Sequence, residues 1–226
     1  MHDKALSKVA SRLPISFQKT IMHFMVRSSY NSNYYNEVYR THRELSPFEH
    51  QILSMYIKEL NNKRPYIMDI GCGAGIPFDS YFIKKGCKIV GLDLSKTQIQ
   101  RAKKNIPLAK FINTDFLIYR DNNYYDGIVL LYSLFHIQRE YHIEVMQKVY
   151  NMLKPNGKVL LNIREEDCGS LKYRRDFCGM PMCWSHYDKN TFLNIISKIG
   201  FKYKQLGDEK MYGSSESHLW IILSKA

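Results

Sequence analysis

Asp69-Ile70-Gly71-Cys72-Gly73-Ala74-Gly75 sets three glycines at alternate positions behind an acid. Glycine adopts left-handed backbone angles without penalty and lets a ligand lie against the main chain. Such a turn is suited to cradling a ligand. Dinucleotide-binding enzymes use a related turn, but their G-x-G-x-x-G spacing requires glycine at position 76, and the chain has Ile76. Pro77 follows and removes a backbone N–H that a pyrophosphate would use. The turn therefore suits a ligand without phosphates.

Asp93 lies roughly twenty residues further on, where an acid accepts hydrogen bonds from ribose hydroxyls. Thr114-Asp115-Phe116 offers an acid beside an aromatic ring, a pairing suited to an adenine amino group and ring face. Histidine as a residue type suits proton transfer near neutral pH, and His136 is the candidate general base. Phe135, Trp184, His186 and Tyr187 could stack on a planar or cationic substrate. Arg139, with Arg164, Arg174 and Arg175, could bind a carboxylate or phosphate.

These residues need a scaffold, and the hydrophobic pattern supplies one. From Ser46 strand and helix signals alternate, as in an α/β sheet with crossover helices. Strands are expected at Tyr66–Ile70, Lys88–Leu92, Phe111–Asn113, Tyr125–Tyr132 and Val159–Ile163, with an antiparallel pair near Tyr203–Leu206 and His218–Ser224. Helices are expected after capping boxes at Ser46/Glu49 and Ser95/Gln98, and over residues 76–85, 139–153 and 188–199. Lys154-Pro155-Asn156-Gly157 reads as a turn. The expected fold is α/β: a Rossmann-like, seven-stranded, mostly parallel sheet with helices on both faces. Residues 164–187 lose periodicity and read as a loop inserted into a domain spanning 46–226. Residues 1–45 read as an N-terminal helical segment or lid, with Phe17, Ile21, Phe24 and Met25 as its inner face. A helix lying on a membrane surface is the other reading of this basic segment.

The formal net charge of +12 invites a nucleic-acid reading, but Lys and Arg are scattered and form only short patches, at Arg101–Lys104 and Lys172–Arg175. A solvated basic surface is the expectation. The five cysteines have no disulfide-framework spacing, which fits a reducing, cytoplasmic compartment. Cys168, Cys178, Cys183 and His186 are close in sequence but contain no C-x-x-C pair, so no metal is expected. No apolar run is long enough to span a bilayer.

Ile67–Gly75, Val90-Gly91-Leu92-Asp93-Leu94-Ser95 and Leu153–Lys158 together resemble the sequential motifs of class I S-adenosylmethionine-dependent methyltransferases. The resemblance runs from about Tyr35 to Ser224. It implies S-adenosylmethionine as cofactor, with Gly71, Gly73 and Gly75 along its methionine part, Asp93 on the ribose and Leu94 on adenine. Asp115 and Phe116 would hold the adenine edge and face, and the segment Leu131–Phe135, with Leu131 and Tyr132 at its start, would flank the sulfonium. Asp69, Cys72, Gln98 and Thr114 complete that set, and Tyr39 with Arg43 (Tyr34 or Tyr35 as substitutes) would hold the methionine carboxylate. Tyr132–Ile137 and Met182–His186 are similar to a small bacterial branch, whose proline after the His-Ile pair is Gln138 here.

The activity implied is transfer of a methyl group to oxygen, nitrogen or sulfur of a small molecule. An RNA or protein methyltransferase and a non-catalytic cofactor-binding protein are the alternatives. Nucleic acid is the less expected partner, because Leu131-Tyr132-Ser133-Leu134 lacks the Asn/Asp-Pro-Pro-Tyr/Phe element of amino-directed nucleic-acid enzymes.

Overall fold

The computed structural model describes residues 2–32, 43–177, 179–210 and 216–225. Tyr34, Tyr35, Tyr39 and Cys178 lie outside the described residues. Strands β1 (Tyr66–Ile70), β2 (Lys88–Asp93), β3 (Lys110–Asn113), β4 (Tyr125–Leu130) and β5 (Leu153–Ile163) are parallel. β8 (Phe201–Lys210) and β9 (Ser217–Lys225) complete a seven-stranded sheet of order β3-β2-β1-β4-β5-β9-β8, with β9 antiparallel to both neighbours. The expected Rossmann-like architecture is therefore present.

The strands are apolar because both sheet faces are covered, and the period of two divides them between two cores. Met68, Val90, Ile128, Leu130 and Leu161 face one core, shared with α6 (His142–Met152) and α7 (Lys189–Ile199). Ile67, Ile89, Val129, Leu131 and Leu160 face the other, shared with α3 (Pro47–Glu59) and α4 (Phe78–Lys84).

The Ser46/Glu49 capping box forms as read. Only half of the second box does. Ser95 Oγ accepts from Gln98 N at the start of α5 (Lys96–Asn105), but the Ser95 N–H donates to Asp93 Oδ1 and the Gln98 amide donates to Tyr30 O. Helix α6 starts at His142 after a 3-10 turn over Arg139–Tyr141. The Lys154–Gly157 turn lies within β5, where Asn156 has φ 61° and the β4 pairing jumps from Leu153 to Lys158.

Residues 164–187 contain an antiparallel hairpin, β6 (Gly169–Phe177) and β7 (Met180–His186), where a loop was expected. The hairpin exists because its edges are occupied. Ser7 of α1 (His2–Ala10) accepts from Tyr173 N at 2.9 Å, and Ser29 of α2 (Ile15–Asn31) donates to Pro181 O. Covered edges of this kind cannot template pairing with another chain.

Helix α2 faces inward with Gln18, Met22, Val26 and Ser29, while Ile21 and Met25 are half-buried beside them. Phe17 and Phe24, expected inside, are 62% and 65% exposed. The inner face is rotated by roughly a quarter turn from the apolar reading. The partners explain the rotation: Pro181 O takes Ser29, and the Gln138 amide reaches Gln18 Oε1 at 3.4 Å. Polar residues are selected for the inside, and hydrophobicity alone cannot anticipate that.

Candidate active site

The carboxyl ends of β1, β2, β3 and β4 open onto one cleft containing about 790 Å³ of empty space, part of it open to solvent. Ligands of open parallel sheets bind at this position. The floor is the glycine turn, in which Gly71, Gly73 and Gly75 have φ values of 87°, 55° and 75°. Gly71 N and Cys72 N both donate to Leu92 O, at 2.8 and 3.0 Å, which fastens the turn to the end of β2. A side chain on Gly71 would collide with Ser133 Cβ. One on Gly73 would meet nothing nearer than Gln98 Oε1 at 3.9 Å, so the space above Gly73 belongs to the cleft. That open cradle fits the methionine part of S-adenosylmethionine.

Asp93 joins the two loops that border the cradle. Its Oδ2 accepts from Gly73 N at 2.9 Å and its Oδ1 from Ser95 N at 2.7 Å. Asp93 lines the cleft, where a carboxylate suits ribose hydroxyls. Leu94, Gln98, Thr114, Asp115 and Phe116 line the same cleft. Asp115 Oδ1 accepts from Leu117 N at 2.9 Å, and His23 Nε2 lies 3.6 Å from its Oδ2. Burial pushes His23 below the usual histidine range against the pull of that carboxylate.

Asp69, Cys72 and Gly75 support the turn from beneath instead of lining the cleft. Asp69 lies against the fully buried Asp79, whose carboxyl is raised well above the carboxylate range by burial and by Asp69. The pair holds a proton, because two carboxylates out of water cannot both ionise. Cys72 packs among Ile99, Ala102, Ile106 and Phe111. Leu131 is buried in the core.

Arg43 is also behind the wall. It pairs with buried Glu49, and its guanidinium lies 4.8 Å from the Tyr132 ring centre and 5.0 Å from that of Phe78. Tyr132 lines the cleft with φ 55°, its N–H held by Asn162 Oδ1 at 2.7 Å and its hydroxyl donating to Glu49 at 3.1 Å. Arg43 thus buttresses a cleft residue.

His136 stands at the cleft beyond β4 with both ring nitrogens engaged. Nδ1 lies 3.0 Å from Cys183 O, and a carbonyl only accepts, so Nδ1 carries a proton. In the neutral ring Nε2 is then the acceptor, and Tyr30 Oη lies 2.8 Å from it. The ring is held in the tautomer a base requires.

The expected acceptor residues do not line this cleft. Phe135 packs on His136 and His218, with ring centres 4.9 and 5.4 Å apart, and Trp184 packs on Phe177 at 5.1 Å. His186 and Tyr187 border a separate small cavity with His142, Asn162 and Arg164. Burial lowers His186 and His142 to about 4 and His218 to about 3. Arg139 holds Asp167 through two 3.0 Å bonds and stacks over Tyr187. Among the described residues no three His, Cys, Asp or Glu side chains gather as a metal site.

Six further residues line the cleft that were not singled out: His23, Val26 and Tyr30 from α2, Ile70 and Leu92 at the ends of β1 and β2, and Ile137 after β4, while Ser133 lies in the segment expected there. The available signal was chemical, an N-terminal segment free of acids from Lys4 to Asn36.

Residues 39–206 match the family model described as a methyltransferase domain, Methyltransf_23. An uncharacterised methyltransferase of Alkaliphilus oremlandii is 22% identical over 200 residues, covering 84% of this chain and 91% of that protein. The fold is shared with magnesium protoporphyrin IX methyltransferase from Synechocystis, crystallised with S-adenosylmethionine (TM-score 0.69, 13% identity, 91% of this chain and 97% of that one). It is shared equally with Burkholderia thailandensis 1,6-didemethyltoxoflavin-N1-methyltransferase, solved with its substrate and S-adenosylhomocysteine (TM-score 0.70, 14% identity, 92% and 90%). With a glycine cradle, an acid at the end of β2 and a family match over most of its length, the chain belongs to the class I S-adenosylmethionine-dependent methyltransferases.

Proposed function

We propose that the chain transfers the methyl group of S-adenosylmethionine to an oxygen, nitrogen or sulfur atom of a small-molecule metabolite. One observation carries this reading: α2 crosses the cleft, lines it with His23, Val26 and Tyr30, and is hydrogen-bonded to His136. A reacting centre roofed by a helix admits a metabolite more readily than a folded polymer. The two small-molecule enzymes of the same fold support it by analogy.

The bound cofactor supplies an electrophilic methyl group for direct displacement, so alignment provides much of the rate. The chain's part is positional. Gly73 and Asp93 would hold the donor's methionine and ribose, and Tyr132 and Ser133 would flank its sulfonium. Where the nucleophile arrives protonated, it displaces the Tyr30 hydroxyl from His136 Nε2 and gives that nitrogen its proton, the Nδ1–H remaining on Cys183 O.

The test is transfer of labelled methyl from the cofactor to three pools: metabolite extract, RNA and protein. Label in a metabolite, lost in Asp93→Ala, is the expected result, with His136→Ala lowering turnover about a hundredfold or more. Label in RNA or protein alone would overturn the substrate class. Donor binding without turnover on any pool would instead support a binding protein.

A further inference from the structure

We propose that the outer face of α1 and α2 is a docking surface for an anionic lipid bilayer. The observation is the rotation of α2 described above. Its inner side is committed to β7, Gln138 and the cleft, which leaves large apolar groups outside. Val9, Leu13, Ile15, Phe17 and Phe24 are 62%, 37%, 49%, 62% and 65% exposed, and Leu6 on α1 is 46% exposed. They run through one continuous stretch of chain, the corner between the two helices. Phe17 and Phe24 are seven residues apart and so share one helix face.

Exposed apolar groups scattered singly mean little. These are accompanied by charge of predominantly one sign. From Lys4 to Asn36 the chain has five Lys and Arg and no acid, and Lys4, Lys8, Arg12 and Arg27 are exposed. The one acid of these helices, Asp3, accepts from Arg175 N, and an apolar face edged mainly with cations is the chemistry of a helix lying in a membrane interface: rings and branched chains enter the acyl boundary while Lys and Arg meet anionic headgroups. A nucleic acid would use the cations and leave Phe17 and Phe24 in water. A lipid surface uses both groups.

The geometry gives docking a consequence. Helix α2 presents Phe17 and Phe24 outward and His23, Val26 and Tyr30 to the donor cleft, so a docked helix would hold the roof of the active site at the bilayer surface. Among the described residues no helix is long and apolar enough to cross a membrane, so the association is peripheral.

Flotation of the full chain tests this, with vesicles of phosphatidylcholine alone and of equimolar phosphatidylcholine and phosphatidylglycerol. The expected result is binding to the anionic vesicles only, reduced at high salt and weakened at least about tenfold in Phe17→Ser/Phe24→Ser. Neither residue lines the cleft, so donor affinity measured by calorimetry should stay at the wild-type value and report folding. Should that variant not fold, Lys8→Glu/Arg12→Glu carries the same expectation through charge alone. Three results would overturn the proposal: no flotation, flotation undiminished in both variants, or no flotation together with a dimer that Phe17→Ser/Phe24→Ser dissociates. The last would assign the face to a second copy of the chain.

Discussion

The two sides of the cleft are held by different kinds of contact. The donor side is made by strand ends and the turns that follow them: Gly71 N to Leu92 O, Gly73 N and Ser95 N to Asp93, Leu117 N to Asp115. Every one of these involves a backbone N–H in a turn that follows a strand of the parallel sheet. The roof side is made by side chains from distant parts of the chain: Tyr30 to His136, Ser29 to Pro181, Gln138 to Gln18. The first side is part of the fold, and the second is an assembly placed upon it. The donor side should therefore fail by steric collision and the roof by opening.

Two glycines in the same turn separate packing from binding, with the largest expected effects. Gly71→Ala places a methyl group against Ser133 at φ 87°, so both backbone strain and overpacking apply. A loss of about 2–4 kcal/mol is expected in chemical denaturation. Gly73→Ala meets no atom within 3.9 Å and costs only its left-handed backbone, about 1 kcal/mol. Its methyl group stands in the cleft, however, and should weaken donor binding by about a hundredfold or more in calorimetry. Donor binding undiminished in Gly73→Ala would mean that the space above Gly73 is not the donor's.

The histidines buried away from the cleft carry a pH signature. His142, His186 and His218 are held by burial at about 4, 4 and 3, while an unfolded histidine titrates near 6.5. Below pH 6.5 the unfolded chain takes up protons that the native state refuses. Stability should fall as pH drops from 6.5 towards 4, by up to about 1.4 kcal/mol per pH unit for each histidine. Asp79 on the donor side has the opposite sign. Its raised pKa keeps the native carboxyl protonated, so it contributes stability at low pH that is lost as pH rises through that pKa. Asp79→Asn removes the opposing contribution and should steepen the acid-side fall measured by denaturation at several pH values. An unchanged slope would mean that the buried carboxyl is ionised.

The same division marks what could be read from the sequence. The donor side follows local grammar. A strand, a glycine turn and an acid at the next strand end recur at fixed spacing, so the places of Gly71, Gly73, Asp93 and Asp115 around the cleft are legible in the sequence. The roof follows tertiary partners. Phe17 and Phe24 were assigned inward because apolar residues usually pack, yet the site beneath α2 offers carbonyls and amides that select Gln18 and Ser29. The hairpin of β6 and β7 was read as a loop because its strands rest on α1 and α2 more than on alternation of their own. Arg43, expected at the cofactor, is committed to Glu49 and the Tyr132 ring by a fold that its neighbours in sequence do not reveal.

The smallest expected effect is the most direct measure of the roof. Tyr30→Phe removes the hydroxyl that meets His136 Nε2 at 2.8 Å and leaves the Gln98 amide bond to Tyr30 O in place. One neutral hydrogen bond is worth about 1 kcal/mol net, so the local opening of α2 should become roughly fivefold more frequent. Amide exchange would show this as faster exchange in α2 with β4 unchanged. A donor already in the cleft should also leave faster, since its roof lifts more often. Equal acceleration in α2 and β4 would mean that the roof opens only with the whole domain, and the distinction between fold and assembly would then be one of composition alone.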